Sequence, residues 1–531
     1  MTEGLGALHA ARQTVDAPQP RLAEASALFA VATDLATGVP LTFSLRTCLA
    51  TLRIADLLHD RDVDRFALYH LALVKLLGCT VETSRFAAAM GDELRIGGAM
   101  GPAIHGSQRE MLSTMVGAVA AGSPPLRRVR QLVAAMAFGS QMRGIMAGHC
   151  EVARALSEHL RLGPAVAHGL DYVYERWDGR GSPAGARGDE IPLIARIGMG
   201  AYEVVVQDHV GDEEHVRAVI KRRSGRAIDP MIGNVVQRHL RDVLDATRVE
   251  SPWEAVRDAD PDSRRVLDEG QVDATAQAIA LFTDLKADHL AGHSTGVAHL
   301  AGEAARQMGL RDRDTSNVRR ASLIHDLGRV AVSTVTWDRA ARLDDDQWDA
   351  VRLHPYHLER TASRVAWLAE PVRIASRHHE RLDGGGYHRG AAGNDIDAAS
   401  RVVAAADRYQ AMTSRRPYRD ALPPDDAARL LDQEAKHGWI DARAVDAVLT
   451  AAGHGRAAGR ASFPAGLSER EVQILRVIAD GATIKEAASR LYLSPKTVDT
   501  HVQHIYGKVG VTTRAGAAVF AMRHGLLDPV S

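Results

Sequence analysis

Seven of the histidine and aspartate residues between positions 293 and 407 are spaced as a set of metal ligands, in a stretch of sequence whose apolar spacing is helical. Imidazole and carboxylate groups are the ligands that suit first-row divalent ions, and seven of them exceed what one ion with an open coordination position can use. The set therefore predicts two divalent metal ions, an arrangement typical of phosphate ester hydrolysis. Its members are His293, His325, Asp326, His354, His378, His379 and Asp407.

Two residues of this region are predicted to take part in catalysis, Asp326 and Arg329. A carboxylate such as that of Asp326 can bridge two cations, which together lower the pKa of a shared water toward neutrality and make it a nucleophile for phosphorus. We expect Arg329 to donate its planar fork to the same phosphate. Glu380, next to the paired histidines, is expected to orient them rather than to bind metal.

The elements that must position these residues are helices. Ala- and Leu-rich segments carry apolar residues three and four positions apart, are broken by Gly and Pro, and contain few alternating β-branched runs. The chain has 531 residues, of which 46% are hydrophobic, enough for about three domains with sizeable cores. We therefore predict an all-α protein with two related helical domains in tandem, followed by a small four-helix domain.

An internal repeat supports the tandem arrangement. Shifted by 205 positions, residues 175–202 align without a gap on residues 380–407, with 11 of 28 positions identical. Only His149 then lies opposite a ligand, His354. At the same offset, Val173 and Tyr174 lie opposite His378 and His379, and Tyr202 lies opposite Asp407. At an offset of 250, which fits the upstream segment, Lys75 and Leu76 lie opposite His325 and Asp326. The first copy is predicted to hold no metal and to be retained for packing, ligand sensing or dimerisation.

The predicted domain organisation has six segments, separated where the sequence loses its apolar period or becomes rich in Gly, Pro and charged residues. The segments are a loose tail (1–22), a metal-free helical copy (23–248), a linker (249–270), a metal-binding copy (271–450), a second linker (451–465) and a C-terminal domain (466–531).

The segments around the predicted ligands resemble the HD-GYP subgroup of HD-domain phosphohydrolases in order and spacing. They are HLAGHSTGVAHLA, LIHDLGRV, LHPYHLERT, HHERLDGGGYH and RVVAAADRYQAMTSRRPYR. The resemblance implies an all-helical domain with two or three metal ions, often iron or manganese, that hydrolyses a phosphodiester such as cyclic di-GMP. It assigns the seven ligands above to the metals, and it places Arg329, Gly386 and Tyr387 at the substrate.

Three positions depart from the HD-GYP pattern. Arg329 replaces a lysine, His388 replaces the proline of the GYP motif, and Gln410 replaces a second acid after Asp407. Arginine keeps the charge but not the geometry of lysine. Two functions therefore stay open: a transcription regulator that hydrolyses a cyclic dinucleotide or another phosphodiester, and a regulator in which both copies sense a metal or a nucleotide without turnover.

The C-terminal segment carries helix-start signals. Ser468 and Glu471 form a capping-box pattern, and Ser494 followed by Pro495 opens a later helix with one apolar and one polar face. Residues 467–527 resemble the LuxR-type helix-turn-helix domain almost end to end. The resemblance implies a homodimer that binds double-stranded DNA. The residues predicted to contact DNA are Lys485, Lys496, Thr497, Asp499, Thr500, Gln503 and Lys508.

Charge balance, cysteine content and the lack of long apolar runs limit the partners and the compartment expected of the protein. Lys and Arg (65) balance Asp and Glu (66), so nucleic-acid binding must be local rather than driven by net charge. Three widely spaced cysteines do not form a disulfide framework. The absence of a secretory signal pattern and of a long apolar run predicts a cytoplasmic protein with no membrane partner. The resemblance to HD-GYP phosphohydrolases implies that the small-molecule ligand is a phosphorylated or cyclic nucleotide.

Overall fold

The computed structural model describes residues 19–59, 63–81, 83–106, 108–119, 129, 132–133, 142–454 and 463–527. Regular structure in these residues is helical, and extended pairing is limited to four isolated bridges. The predicted all-α fold is confirmed. Residues 1–18 of the predicted tail lie outside the described residues, as do residues 455–462 of the second predicted linker.

The helices of the first copy begin with a buried residue, Leu22, whose neighbour Arg21 pairs with Asp260 at 2.9 Å. These helices, α1 to α12, are Leu22–Thr37, Phe43–Leu58, Arg65–Val74, Thr83–Met90, Glu93–Met100, Gln108–Val119, Met142–His159, Pro164–Leu170, Leu193–Asp208, Glu213–Arg223, Pro230–Arg238 and Leu240–Thr247.

The segment 249–270, predicted as a polar linker, is partly helical. It contains helix α13 (Pro252–Asp258), in which Trp253 and Val256 are buried. Tyr69 donates a hydrogen bond from its hydroxyl to the carbonyl of Val256 at 2.9 Å. Pro252, one of the prolines that favoured a linker, stands at the first helical position, where proline favours a helix start.

The second copy and the C-terminal domain complete the chain. Helices α14 to α23 of the second copy are Glu269–Asp284, His293–Gln307, Asp312–Ile324, Thr334–Trp337, Asp345–Arg352, His354–Ala362, Ala369–Ala375, Ala398–Thr413, Pro424–Lys436 and Ala442–Ala451. Helices α24 to α27 of the C-terminal domain are Glu469–Ala479, Ile484–Arg490, Pro495–Val509 and Arg514–Arg523.

The two copies share one apolar core and a buried polar contact. The Glu93 carboxylate of the first copy accepts a hydrogen bond from the backbone N–H of Thr334 at 2.7 Å and lies 3.2 Å from Lys286 Nζ. Lys286 also donates to the carbonyl of Val330 at 2.7 Å. Val330 lies in a short 3-10 helix, Leu327–Ala331, that follows Asp326 directly. The first copy is therefore packed against the backbone that positions a predicted ligand.

Matching contacts show that the two copies are structurally equivalent. The carboxylates of Asp34 and Asp284, 250 residues apart, each accept a 2.6 Å hydrogen bond from the serine ten positions on. A Cβ on Gly78 would lie 2.0 Å from the carbonyl oxygen of His149, and one on Gly328 would lie 1.8 Å from that of His354. Glycine at both positions lets two backbone segments touch. The same close approach positions ligand-bearing segments in the second copy.

Among the described residues, no single helix combines the length and the apolar character needed to cross a bilayer. The segments Arg65–Thr80 and Thr83–Met90 are long and apolar enough only when they are counted as one unit, and they are bent by 62° relative to each other.

Candidate metal centre and nucleic-acid interface

Helix ends bring the predicted ligands of the second copy together. His293 is the first residue of α15, after Gly292 in the left-handed conformation (φ 77°). His325 directly follows α16 as its C-cap, and His354 begins α19 with Pro355 at the favourable first turn. His378 and His379 follow α20, whereas Asp407 lies within α21. All seven side chains converge on one site, and six are buried; the side chain of His379 is 15% exposed.

Asp326 lies at the centre of the site. Its Oδ2 is 3.4 Å from His293 Nε2 and 3.2 Å from His325 Nε2. Its Oδ1 is 3.6 Å from the Nε2 atoms of both His354 and His378. The two carboxylate oxygens therefore face two different pairs of imidazoles, as a bridging ligand requires.

Asp407 completes one side of the site. Its Oδ1 lies 3.1 Å from His293 Nε2 and 3.7 Å from His325 Nε2, and its Oδ2 lies 4.0 Å from His379 Nδ1. Three groups have ligand atoms close enough to share one ion: His354 with His378 and His379, His293 with His325 and Asp407, and His325 with Asp326 and His378.

Backbone carbonyls fix the orientation of three of these histidines. The Nδ1–H groups of His325, His354 and His378 donate to the carbonyls of Ser322, Val351 and Ala375 at 2.6–2.7 Å. A carbonyl can only accept, so Nδ1 carries the hydrogen in each ring. Nε2 of each ring is left to face the site, the usual arrangement of a metal-binding histidine.

The donor set fits a divalent cation. His354 Nε2 and His378 Nε2 are 3.1 Å apart, and two lone pairs at that distance repel unless a proton or a cation lies between them. Further buried atoms have no hydrogen-bond partner in the described part of the chain, and leaving such atoms unpaired costs about 1–3 kcal/mol each. They are His293 Nδ1 and Nε2, His325 Nε2, Asp326 Oδ1 and Oδ2, and Asp407 Oδ1.

Charge and burial set the protonation of the ligands. Burial and the neighbouring His378 hold the pKa of His354 and of His379 well below the usual value, so these rings are neutral. Burial also acts to lower the pKa of His325, but the carboxylates of Asp326 and Asp407 outweigh it and raise that pKa to about 10. Burial acts to raise the pKa of Asp326, and Arg329 and His325 hold it well below its usual range.

Arg329 lies against Asp326 rather than in the open cleft. Its Nε is 2.9 Å from Asp326 Oδ1 without the angle of a hydrogen bond, and its guanidinium carbon is 4.9 Å from the centroid of the Trp337 ring. Arg329 is 8% exposed. The sequence predicted that this side chain meets the substrate; the structure instead gives it contacts that orient a ligand.

A cleft of about 200 Å³ opens next to the ligands. Gly386 and Tyr387, predicted at the substrate, line it together with His379, whose ring centroid is 4.7 Å from that of Tyr387. Its wall also has four cationic or aromatic side chains that sequence reasoning missed. They are Trp348, Arg352, Arg381 and Arg408. Arg381 and Arg408 lie inside the quoted segments HHERLDGGGYH and RVVAAADRYQAMTSRRPYR, and Arg352 directly precedes LHPYHLERT, so a signal was available for these three.

Glu380 holds the glycine-rich loop rather than the histidines. Its carboxylate accepts hydrogen bonds from the backbone N–H groups of Arg389 (2.7 Å) and Ala391 (2.9 Å). Glu175 of the first copy makes the corresponding bonds to Ala184 and Gly185 at 2.7 and 3.0 Å. The expectation that Glu380 orients the paired histidines is therefore wrong. Its role is shared by both copies and does not depend on metal.

The first copy fills the equivalent site with its own side chains. Phe43, at the position of His293, contacts Tyr202, at the position of Asp407, with ring centroids 5.3 Å apart. Cys79 Sγ and the hydroxyl of Tyr174 are 3.0 Å apart. Lys75, at the position of His325, is buried with no hydrogen-bond partner for its ammonium in the described part of the chain. Among the described residues, the groups able to hold a metal lie in the second copy.

The C-terminal domain has the predicted helix-turn-helix geometry. Ser468 caps α24, and Ser494 accepts a hydrogen bond from the backbone N–H of Thr497 at 3.1 Å to cap α26. Val498, Val502 and Ile505 of α26 are buried on one face. The seven residues predicted to contact DNA are exposed. Lys508 differs from the others, because its ammonium is bound to Glu471 at 2.7 Å within the domain.

Comparison with known proteins identifies both parts. The family described as HD domain matches residues 130–201 and 279–444, and the luxR family of bacterial regulatory proteins matches residues 465–521. The chain carries an HD domain and a luxR-type DNA-binding domain. The HD match enters both copies, although the segment matched in the first copy is the shorter one.

Individual relatives cover the two parts separately. The HD-domain part is 27% identical to 3'3'-cGAMP-specific phosphodiesterase 3 of Vibrio cholerae serotype O1 over 79% of this chain and 92% of that protein. A crystal structure of a cyclic GMP-AMP specific phosphodiesterase of V. cholerae matches 82% of this chain and 98% of its own, with 25% identity and a TM-score of 0.56. The luxR-type domain is 52% identical to the probable transcriptional regulatory protein NarL of Mycobacterium tuberculosis, over 12% of this chain and 29% of that protein.

The luxR-type domain packs on the HD domains through α27. The backbone N–H of Thr512 donates to the Glu151 carboxylate at 3.2 Å, and Arg514 Nη2 lies 3.3 Å from Asp288 Oδ2. Asp288 belongs to the loop between α14 and α15, five residues before the predicted ligand His293. The polar face of α26 is exposed. The domain that reads DNA thus contacts the segment that leads into the metal centre.

Proposed function

We propose that the second HD copy hydrolyses a cyclic dinucleotide at a centre of two divalent ions, iron or manganese. The observation that carries the proposal is the position of Asp326, whose two oxygens face separate histidine pairs. His354, His378 and His379 would hold one ion. His293, His325 and Asp407 would hold the other. Bound ions supply a water of lowered pKa and neutralise charge on the non-bridging phosphate oxygens.

The chain's own residues prepare the site for that chemistry. The carbonyls that accept from Nδ1 keep the Nε2 atoms of His325, His354 and His378 directed inward. Arg329 holds Asp326 in its ionised form. Glu380 fixes the loop that presents Gly386 and Tyr387 to the cleft. We propose Arg381 and Arg408, which line the same cleft, as phosphate-binding residues.

The substrate is proposed from the relatives and from the resemblance of the motifs. The V. cholerae relative is named for 3'3'-cGAMP, and HD-GYP proteins often act on cyclic di-GMP. Both are phosphodiesters of two nucleotides and carry the same reacting group. We propose further that the luxR-type domain binds double-stranded DNA as a homodimer and regulates transcription in the cytoplasm.

A second candidate is a sensor without turnover. The placement of Arg329 favours this sensor. The HD-GYP pattern has a lysine at this position that faces the substrate, whereas the Arg329 guanidinium is buried against Asp326. In this case both copies respond to a metal or a nucleotide and only DNA binding is the output.

Metal content and hydrolysis distinguish the two candidates. The full chain, purified without chelator, is assayed for bound iron and manganese and for release of linear product from 3'3'-cGAMP and cyclic di-GMP. Hydrolysis that is lost in Asp326→Ala and retained in His357→Gln, a histidine of α19 outside the ligand set, supports the phosphodiesterase. Bound metal without product from either substrate supports the sensor.

A further inference from the structure

The first copy contains a cavity of about 620 Å³ that the metal centre and the DNA-binding domain do not explain. Five arginines line it, together with two carboxylates, Glu110 and Asp178. Its volume lies within the roughly 300–1,000 Å³ of small-molecule sites. The arginines are Arg176, Arg180, Arg222, Arg223 and Arg226.

The cavity lies where the cleft of the second copy would be. Arg176 and Arg180 correspond, at the 205-residue offset, to Arg381 and Gly385, which line the cleft beside the metal ligands. His105, on the cavity wall, contacts Tyr202, with ring centroids 5.2 Å apart. Tyr202 stands at the position of the ligand Asp407. The first copy has therefore lost its metal ligands but still has a concave surface at the same place.

Two of the arginines form a fixed base. Arg176 donates to both oxygens of Asp178 at 3.0 and 2.8 Å and to the carbonyl of His105 at 2.7 Å. Arg223 is 5% exposed, is paired with the buried Glu203, and donates to the carbonyl of Pro102 at 2.9 Å. Its Nε has no hydrogen-bond partner in the described structure. Held in this way, the two guanidinium groups are fixed at the base of the cavity, and the carboxylates of Asp178 and Glu203 compensate their charge.

Two of the other three arginines are available to a ligand. Arg180 and Arg226 are exposed, and in the described part of the chain their guanidinium groups form no hydrogen bond or ion pair. Arg222 pairs with Glu110 at 3.0 Å at the rim. The five guanidinium groups outnumber the carboxylates around them, Glu110, Asp178 and Glu203, so positive charge is in excess at the cavity. The planar fork of a guanidinium matches the oxygens of a phosphate.

We propose that this cavity binds a phosphate-bearing ligand of nucleotide size, so that the first copy is a binding site and not only a packing partner. A concave, arginine-lined cavity of this size suits a mononucleotide or a dinucleotide. The proposal goes beyond the hydrolysis proposed for the second copy and does not depend on it, because the two sites share no residue.

The test uses the full chain in an Asp407→Asn background, so that a bound dinucleotide is not turned over. Binding of cyclic di-GMP, 3'3'-cGAMP, GMP and inorganic phosphate is measured by titration calorimetry. Arg180→Glu with Arg226→Glu is compared with Arg264→Glu with Arg313→Glu, two exposed arginines outside the cavity. Both double variants change the net charge equally. A melting curve of each double variant checks that it is folded.

The proposal predicts that the cavity variant loses one binding site, or weakens one site by at least tenfold, for one or more of the four probes, whereas the control variant does not. If the second copy also binds a nucleotide, the cavity variant reduces the number of binding sites from two to one. If the second copy binds none, the number falls from one to zero, so failure of the hydrolysis proposal is recognised separately. Unchanged site number and affinity for all four probes in the cavity variant would overturn the proposal.

Discussion

The ammonium of Lys75 lies 4.2 Å from the centroid of the Tyr202 ring, at the place that His325 and Asp407 occupy in the second copy. A cationic side chain and an aromatic face thus stand in the first copy where the second copy assembles metal ligands. The ring quadrupole offers the ammonium partial compensation for its burial. The metal-free site is filled by the chain itself, which explains how the fold persists after its ligands were lost.

Replacement of Lys75 by methionine is expected to stabilise the first copy at pH 7. Burial lowers the pKa of Lys75 to about 8, although Glu203 and Cys79 act in the opposite direction. The unfolded chain therefore binds the proton more tightly between pH 8 and 10.5, and the wild-type free energy of unfolding rises over that interval by at most about 3 kcal/mol. Lys75→Met should remove this rise.

Thermal melts of the wild type and Lys75→Met between pH 7 and 10.5 measure that difference. The gap between their melting temperatures should be largest at pH 7 and close as the pH approaches 10.5. A difference in melting temperature that stays constant over this pH interval would show that burial does not lower the pKa of Lys75.

Gly328→Ala is expected to destroy the metal centre. The new Cβ would lie 1.8 Å from the His354 carbonyl oxygen, so the segment after Asp326 must move away from the helix that begins at His354. We expect a loss of about 3 kcal/mol in stability and of most of the bound metal. Gly78→Ala, with its Cβ 2.0 Å from the His149 carbonyl oxygen, is the matched control. Gly78→Ala should lower the stability by a similar amount but retain the metal. Equal metal loss in both variants would contradict the placement of the metal centre in the second copy.

Lys496 and Lys508 are expected to differ in DNA binding. Lys496 is exposed at the start of α26, so Lys496→Ala should weaken binding to all sequences and reduce the slope of log affinity against log salt by about one. The ammonium of Lys508 is bound to Glu471 and to the carbonyl of Gly466 at 3.1 Å, so Lys508→Ala should change the slope less. Fluorescence anisotropy across a salt series measures both. Equal slopes for the two variants would contradict this distinction.

Charge exchange between Asp288 and Arg514 is expected to report domain docking. Asp288→Arg or Arg514→Glu alone removes a 3.3 Å ion pair and places like charges together, whereas the double variant restores opposite charges. The coupling energy should be about 0.5–1 kcal/mol, as for partly exposed pairs. Hydrogen exchange of residues 285–292 should accelerate in each single variant and recover in the double variant. If hydrogen exchange does not recover in the double variant, the Asp288–Arg514 ion pair is not the contact that docks the domain.

Much of the candidate site followed from sequence because its information is local. Ser468, Ser494 and Pro495 mark helix starts by chemistry that acts within one turn, and the helices begin there. The seven ligands were recognisable because metal coordination requires particular residue types, and motif spacing preserved their order. The all-α fold followed from apolar periodicity in the same way. The helix starts can be predicted from neighbouring residues alone, whereas the ligands needed several motifs in order along positions 293–407.

The tertiary structure decided what depends on distant pairs. Arg329 turned to Asp326 and Trp337, and Glu380 turned to the loop nitrogens, because their partners were brought together by packing and not by spacing. The arginine cavity joins residues from positions 105 to 226 that share no motif. Sequence determined which groups can bind a cation; folding determined which groups face one another, because hydrogen bonds and charge pairs act over a few ångströms in space, whatever their separation along the chain.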